Sequence, residues 1–171
     1  MSEGFLHSIN VSNGGVPKLP RDECDLRVSG IEGDRQSYPQ IHGGPARAVC
    51  LYSLELIDSL RSEGHPVTVG SLGENLTLAG IPWHEMVPGT CVDIGGASLE
   101  LTSYADPCRT IIGSFHDRKS ARIFERVHPG WSRLYARVLK EGTLRIGDPV
   151  RIGPSSTQAA SASVRFRPTN K

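Results

Sequence analysis

The densest group of chemically capable side chains lies between Gly33 and Val49. Gly33-Asp34-Arg35 is followed there by His42-Gly43-Gly44-Pro45-Ala46-Arg47-Ala48-Val49. Glycines let backbone amides approach an anionic ligand closely, and Arg47 can fork onto phosphate or carboxylate oxygens. His42 is the natural candidate to move a proton near neutral pH. The plainer reading makes Gly43-Gly44 a turn and pairs Asp34 with Arg47 as a brace, and pattern alone leaves the two readings even.

Two further groups are smaller. Gly70-Ser-Leu-Gly73-Glu74-Asn75-Leu76-Thr77 puts a carboxylate and an amide at the mouth of a strand, where they could meet a ligand; more commonly such residues satisfy turn backbone. Cys108 follows Asp106-Pro107 and precedes Arg109, at the start of a short helix whose positive end, with Arg109 beside it, favours a thiolate. Such a thiolate suits metal ligation or sulfur transfer. The alternative, a buried core cysteine, describes Cys50 and Cys91 better, because both lie in apolar strand patterns.

Other chemistries have no signature. The four cysteines show no Cys-x-x-Cys and no zinc-type spacing, and there is no Gly-x-Ser-x-Gly elbow for a Ser-His-Asp hydrolase. The lysines are Lys18, Lys119, Lys140 and Lys171, none within the motif cluster, so a Schiff base to pyridoxal phosphate is not expected. A formal net charge of +1 gives no field to draw in nucleic acid or a membrane surface. The N-terminus lacks a signal peptide and no stretch is long and apolar enough to span a bilayer, so a cytoplasmic location with free thiols is expected.

The elements that must position these residues are short. With 171 residues, 19 of them Gly and 12 Pro, the chain is heavily punctuated, which predicts many strands in one domain. Strands are predicted at Phe5–Val11, with Phe5, Ile9 and Val11 on one face, and at 26–28, 47–52, 75–78, 91–94, 98–103, 134–139, 143–146 and 150–152. Ser53 should cap a helix carrying Leu54, Ile57 and Leu60 that Gly64 stops. A second helix is predicted over Asp117–Val127, and Lys140-Glu141-Gly142 should turn a hairpin. Gly89-x-x-Val-x-Ile-Gly95 and Gly147-x-x-Val-x-Ile-Gly153 echo one another, as an internal duplication or equivalent barrel strands would. The ordered domain is expected over 5–153, with 154–171 a disordered polar tail.

In order, Gly33-Asp34, His42-Gly43-Gly44-x-x-Arg47-Ala48-Val49, Gly73-Glu74-Asn75-Leu76-Thr77, Pro107-Cys108 and Gly142-x-x-x-x-Gly147-Asp148 resemble the MOSC domain. That family is named for the C-terminal domain of molybdenum cofactor sulfurases. The resemblance implies a mainly β fold, a closed mixed β-barrel of the pyruvate-kinase type with a few helices. It implies that Cys108 is the functional thiol, either coordinating molybdenum of the pterin cofactor (molybdopterin) or carrying a persulfide. By the same resemblance Asp34, Arg47, Glu74, Asn75 and Arg109 would bind cofactor, and His42 would join Cys108 in catalysis. Relatives linked to reduction of N-hydroxylated compounds carry extra segments that this chain lacks. Half of the cofactor pocket would then be missing, or supplied by a second subunit of a homodimer.

Three functions compete on these grounds. The first is a molybdenum-dependent oxidoreductase acting on small N-hydroxylated substrates with an electron-donor protein as partner. The second is a sulfur carrier that receives a Cys108 persulfide from a sulfur-donor protein. The third is a non-catalytic module that binds a pterin or another anion through the 42–47 loop.

Overall fold

A computed structural model describes residues 3–35 and 43–155 of the chain. The strands are β1 (Glu3–Val11), β2 (Leu19–Arg21), β3 (Glu23–Arg27), β4 (Gly30–Ile31), β5 (Val49–Ser53), β6 (Leu76–Ala79), β7 (Cys91–Ile94), β8 (Ala97–Ala105), β9 (Arg133–Lys140), β10 (Gly142–Arg145) and β11 (Pro149–Ile152). The α-helix α1 spans Leu54–Ser62. Four short 3-10 turns occupy Pro45–Arg47, Trp83–Glu85, Arg109–Ser114 and Ser120–Ile123.

Seven strands close a barrel in the order β1-β6-β5-β9-β8-β7-β11, and β11 returns to pair with β1. Closure leaves none of these seven without a neighbour on each side, which removes the free edges of an open sheet. The β5–β6 pair is parallel and the rest are antiparallel, so the barrel is mixed. The parallel pair requires a crossover, and α1 supplies it. β2 extends β1, and β10, β3 and β4 form a separate three-stranded sheet. The fold is therefore the mainly β closed barrel expected from the resemblance.

Local sequence explains the elements around the crossover. The Ser53 Oγ accepts a hydrogen bond from the Leu56 amide at 3.2 Å, which caps α1, and Ile57 and Leu60 are buried on its inner face. Gly64, at φ +93°, follows the helix end where a left-handed residue is required. The echoing segments form β7 and β11, which lie side by side with Val150 opposite Ile94 and Ile152 opposite Val92.

Three expectations need correction. In β1 the inward residues are Leu6, Ile9 and Val11, while Phe5 is 47% exposed. A register shift between Leu6 and Ser8 lets two residues three apart share the inner face. The helix predicted over Asp117–Val127 is only the 3-10 turn Ser120–Ile123. Arg118 there has φ +58°, outside helical space, and of the predicted stripe only Ile123 is buried. Finally, β9 and β10 form no hairpin. β9 is already flanked by β5 and β8, so β10 has no edge to join and pairs with β3 instead. The Glu141 Oε2 accepts the Val28 amide at 2.8 Å beside that sheet. The predicted polar tail lies, from residue 156 on, outside the described residues.

Among the described residues no helix is long and apolar enough to cross a membrane. The crossover cap yields a direct test. Ser53→Ala should lower stability by about 1 kcal/mol, read as a lower urea midpoint at unchanged slope.

Candidate functional site

The ends of β1, β5, β6, β8 and β9 meet on one side of the barrel, and the side chains there form an open cleft. Its lining includes Lys18, Arg35, Cys50, Asn75, Cys108, Thr110, Arg133 and Tyr135, with the backbone of Gly15 and Gly73. Strand alternation places two of these. Arg133 and Tyr135 are two apart on β9, and Cys50 lies directly opposite Tyr135 on β5.

Cys108 is half-buried and immediately precedes the 3-10 turn Arg109–Ser114, whose Ile111 amide donates to the Cys108 carbonyl at 3.3 Å. Its Sγ donates to the Thr110 hydroxyl at 3.1 Å. Cys50, expected to be an ordinary core cysteine, is buried but also lines the cleft. Burial pushes its thiol up to about 11, so it stays protonated at neutral pH. Burial likewise pushes the Tyr135 phenol up to about 12, which keeps it a neutral hydroxyl. Cys108 is thus the more accessible of the two thiols in the cleft.

Under the cleft runs a buried polar network. The Lys18 Nζ lies 2.6 Å from the Asp34 Oδ1, with both side chains 7% exposed. The same oxygen accepts the Ser12 amide at 3.0 Å, and the Asp34 Oδ2 accepts the Asn75 Nδ2 at 2.9 Å. The Asn75 Oδ1 accepts the Cys50 amide at 3.0 Å, and the Asn75 amide donates to the Cys50 carbonyl at 2.8 Å. Asn10 adds bonds to the Glu74 carbonyl and the Thr77 hydroxyl.

Glu74 lies fully buried within this network rather than in the cleft lining. Its Oε1 accepts the Gly70 amide, and its Oε2 has no partner among the described residues. Burial raises its carboxyl from the ordinary 4.5 to about 7, against the lowering effect of the Gly70 amide and the Arg133 charge. Arg133 is also buried; its Nη1 donates to the Leu72 carbonyl at 2.6 Å and its Nη2 to the Asp106 carbonyl at 3.2 Å. Its Nε is buried without a partner among the described residues.

The predicted site residues therefore divide. Cys108 and Asn75 line the cleft, and Asp34 sits just beneath it. Asp34 braces the site, as the plainer reading held, but its cation is Lys18 and not Arg47. Lys18 thus belongs to the motif cluster from which sequence order had excluded it. The Arg47 guanidinium lies 5.3 Å from the Tyr135 ring centroid, a cation–π contact at the back of a lining residue. Arg109 is exposed and outside the lining, and His42 lies outside the described residues. Sequence reasoning placed Arg35 in the motif cluster but missed Lys18, Thr110, Arg133 and Tyr135. The one available signal was the alternation of Arg133, Tyr135 and Arg137 with the apolar Leu134, Ala136 and Val138 along one strand.

Among the described residues no group of three or more His, Cys, Asp or Glu is arranged to hold a metal ion. Cys108 could therefore contribute one soft ligand to a metal that brings the rest of its coordination with it.

The MOSC domain model matches residues 39–151, so the chain belongs to the MOSC family, which is associated with binding of the molybdenum cofactor. Among individual relatives, the chain is 28% identical over 135 residues to the uncharacterized protein YflK of Bacillus subtilis (strain 168), covering 78% of this chain and 60% of YflK. It is 26% identical over 157 residues to the protein YiiM of Escherichia coli (strain K12), covering 86% of this chain and 69% of YiiM. The crystal structure of YuaD from Bacillus subtilis superposes with a TM-score of 0.67 at 20% identity, covering 86% of this chain and 94% of that one.

Two tests follow from the buried charges. Asp34→Asn leaves the Lys18 ammonium buried without its counter-charge and should lower stability by about 3 kcal/mol in urea unfolding. Adding Lys18→Met should recover most of that loss. For Glu74, the folded chain retains a proton that the unfolded chain releases near pH 4.5. This group's contribution is therefore intact below that pH and is lost as pH rises to about 7, by roughly 3 kcal/mol. Glu74→Gln should gain stability relative to the parent at pH 8 but not at pH 4.5, and an equal difference at both would contradict the titration.

Proposed function

We propose that the cleft holds the molybdenum cofactor with Cys108 as a ligand to the metal, and that the protein reduces N-hydroxylated compounds. The observation carrying this reading is a half-buried thiol in one cleft with a buried Arg133 Nε that has no partner among the described residues. A soft sulfur donor suits molybdenum, and an orphaned guanidinium N–H suits an acceptor oxygen on a bound anion.

The residues present fit the group in a second respect. Lys18, Arg35 and Arg133 give the cleft a cationic lining, and among the described residues only Lys18 of the three is paired with a carboxylate. Arg35 would hold phosphate and pterin oxygens, with the Arg133 Nε offering one further donor and Asn75 fixing the floor beneath them. When bound, the cofactor would supply a two-electron redox centre.

The chain's own part is to bind, orient and supply protons. Reducing an N-hydroxyl group to N–H consumes two electrons and two protons and releases water. The electrons would come from an electron-donor protein, and His42 is our candidate for delivering a proton. Tyr135, held neutral by burial, presents a hydroxyl rather than a charge to the substrate side. Four free cysteines suit a reducing, cytoplasmic compartment. A homodimer would bring further cover to a cleft that is open in one chain.

Elemental analysis of protein from a cofactor-producing host tests this, beside Cys108→Ala. Near-stoichiometric molybdenum and turnover of an N-hydroxylated base in the parent, both lost in Cys108→Ala, is the expected outcome. Full metal occupancy in the variant would end the ligand role. Metal-free parent protein that gains one sulfur at Cys108 from a cysteine desulfurase would make it a sulfur carrier.

A further inference from the structure

We propose that Arg133 is a positioning residue, a guanidinium clasp that fixes the backbone turn carrying Cys108 against the Gly70–Gly73 loop. The inference rests on Cys108 being the functional thiol, as proposed above.

Arg133 opens β9 opposite Ala105, the last residue of β8, and is 5% exposed. Its Nη1 reaches the Leu72 carbonyl at 2.6 Å on one side. Its Nη2 reaches the carbonyls of Ala105 at 3.4 Å and Asp106 at 3.2 Å on the other. Two segments remote in sequence are thus held by one planar fork. Cys108 lies two residues past Asp106, and between them Pro107 restricts the backbone, so the placement of the Asp106 carbonyl carries forward to the thiol.

The far end of the same turn is tied to the same loop. The Ser114 Oγ, at the end of the 3-10 turn that follows Cys108, donates to the Ser71 carbonyl at 3.2 Å. Cys108 is therefore suspended between two anchors on one loop, Arg133 upstream and Ser114 downstream. No carboxylate forms an ion pair with Arg133 among the described residues; carbonyl dipoles receive its Nη1 and Nη2 donors. A fork whose donors sit on separate nitrogens in fixed directions spans both segments at once, whereas the three donors of a lysine ammonium radiate from one nitrogen with no fixed direction.

Arg133→Lys, which keeps the charge, and Arg133→Gln separate the clasp from simple electrostatics. The full chain as purified would be read by amide hydrogen exchange and by the rate of iodoacetamide labelling at Cys108, resolved by peptide mass spectrometry. In both variants exchange over residues 105–112 should rise roughly tenfold, the scale of losing one net hydrogen bond. Cys108 labelling should rise with it while Cys50 stays protected and exchange in β1, β5 and β6 is unchanged. Parent-like behaviour of Arg133→Lys would show that charge alone matters and overturn the clasp. Acceleration spread evenly over the barrel would also overturn it, as loss of global stability. Molybdenum content measured on the same samples keeps the two proposals apart. A parent without metal ends the cofactor reading and leaves the clasp to be judged on exchange and labelling.

Discussion

The amide of Asn75 is the point on which the site depends. Its Oδ1 receives the Cys50 amide from β5 and its Nδ2 reaches both the Asp34 carboxylate and the Asn10 carbonyl at the end of β1. β5 and β6 run parallel here, and their ladder begins only at Leu51 and Leu76. One residue earlier the Asn75 main chain and side chain continue the connection to Cys50. A carboxylate in the same place could accept from Cys50 but could not donate to Asp34, and would add a second buried charge. An amide is the side chain that offers both polarities without charge.

From that amide the buried polar groups follow in sequence. Asp34, fixed by Asn75 and the Ser12 amide, determines where Lys18 must lie, and the Lys18 main chain in turn donates to the Gly70 carbonyl at 2.9 Å. Gly70 can approach so closely only because it has no side chain: at φ +86° a Cβ there would collide with the Lys18 carbonyl. Its amide donates to Glu74. The loop that anchors the Cys108 turn is thereby braced from below by residues from four regions of the chain.

This layering explains what sequence could and could not disclose. β5, α1 and β6 were legible because their signals are local: an apolar run, a serine cap, helical spacing at Ile57 and Leu60, then a glycine stop. Cys108, Asp34 and Asn75 were legible because they stand in motifs that resemble a family. The partner of Asp34 was not, because Lys18 stands apart from those motifs and its role depends on the β1–β2 region folding back over the site. Arg133 and Tyr135 were hidden for a different reason. Their alternation reads as a strand with one polar face outward, whereas the segments packed over the start of β9 bury Arg133 and Tyr135 and leave Arg137 on that face to solvent. The failed β9–β10 hairpin has the same origin, since a turn signal cannot reveal that both edges of β9 are already taken.

The contrast between the two thiols shows how the same network assigns chemistry. Cys50 and Cys108 line one cleft, but Cys50 lies within a strand, its amide and carbonyl engaged by Asn75, and burial holds its thiol protonated. Cys108 lies beyond the end of its strand, in a turn that the barrel does not enclose, half open to solvent. The thiol that the fold leaves outside the ladder is the more accessible one, and its turn is tied down by Arg133 and Ser114 bonds to carbonyls rather than by sheet pairing. Within this cleft the thiol inside a strand is enclosed, and the thiol just past the end of β8 is left half open.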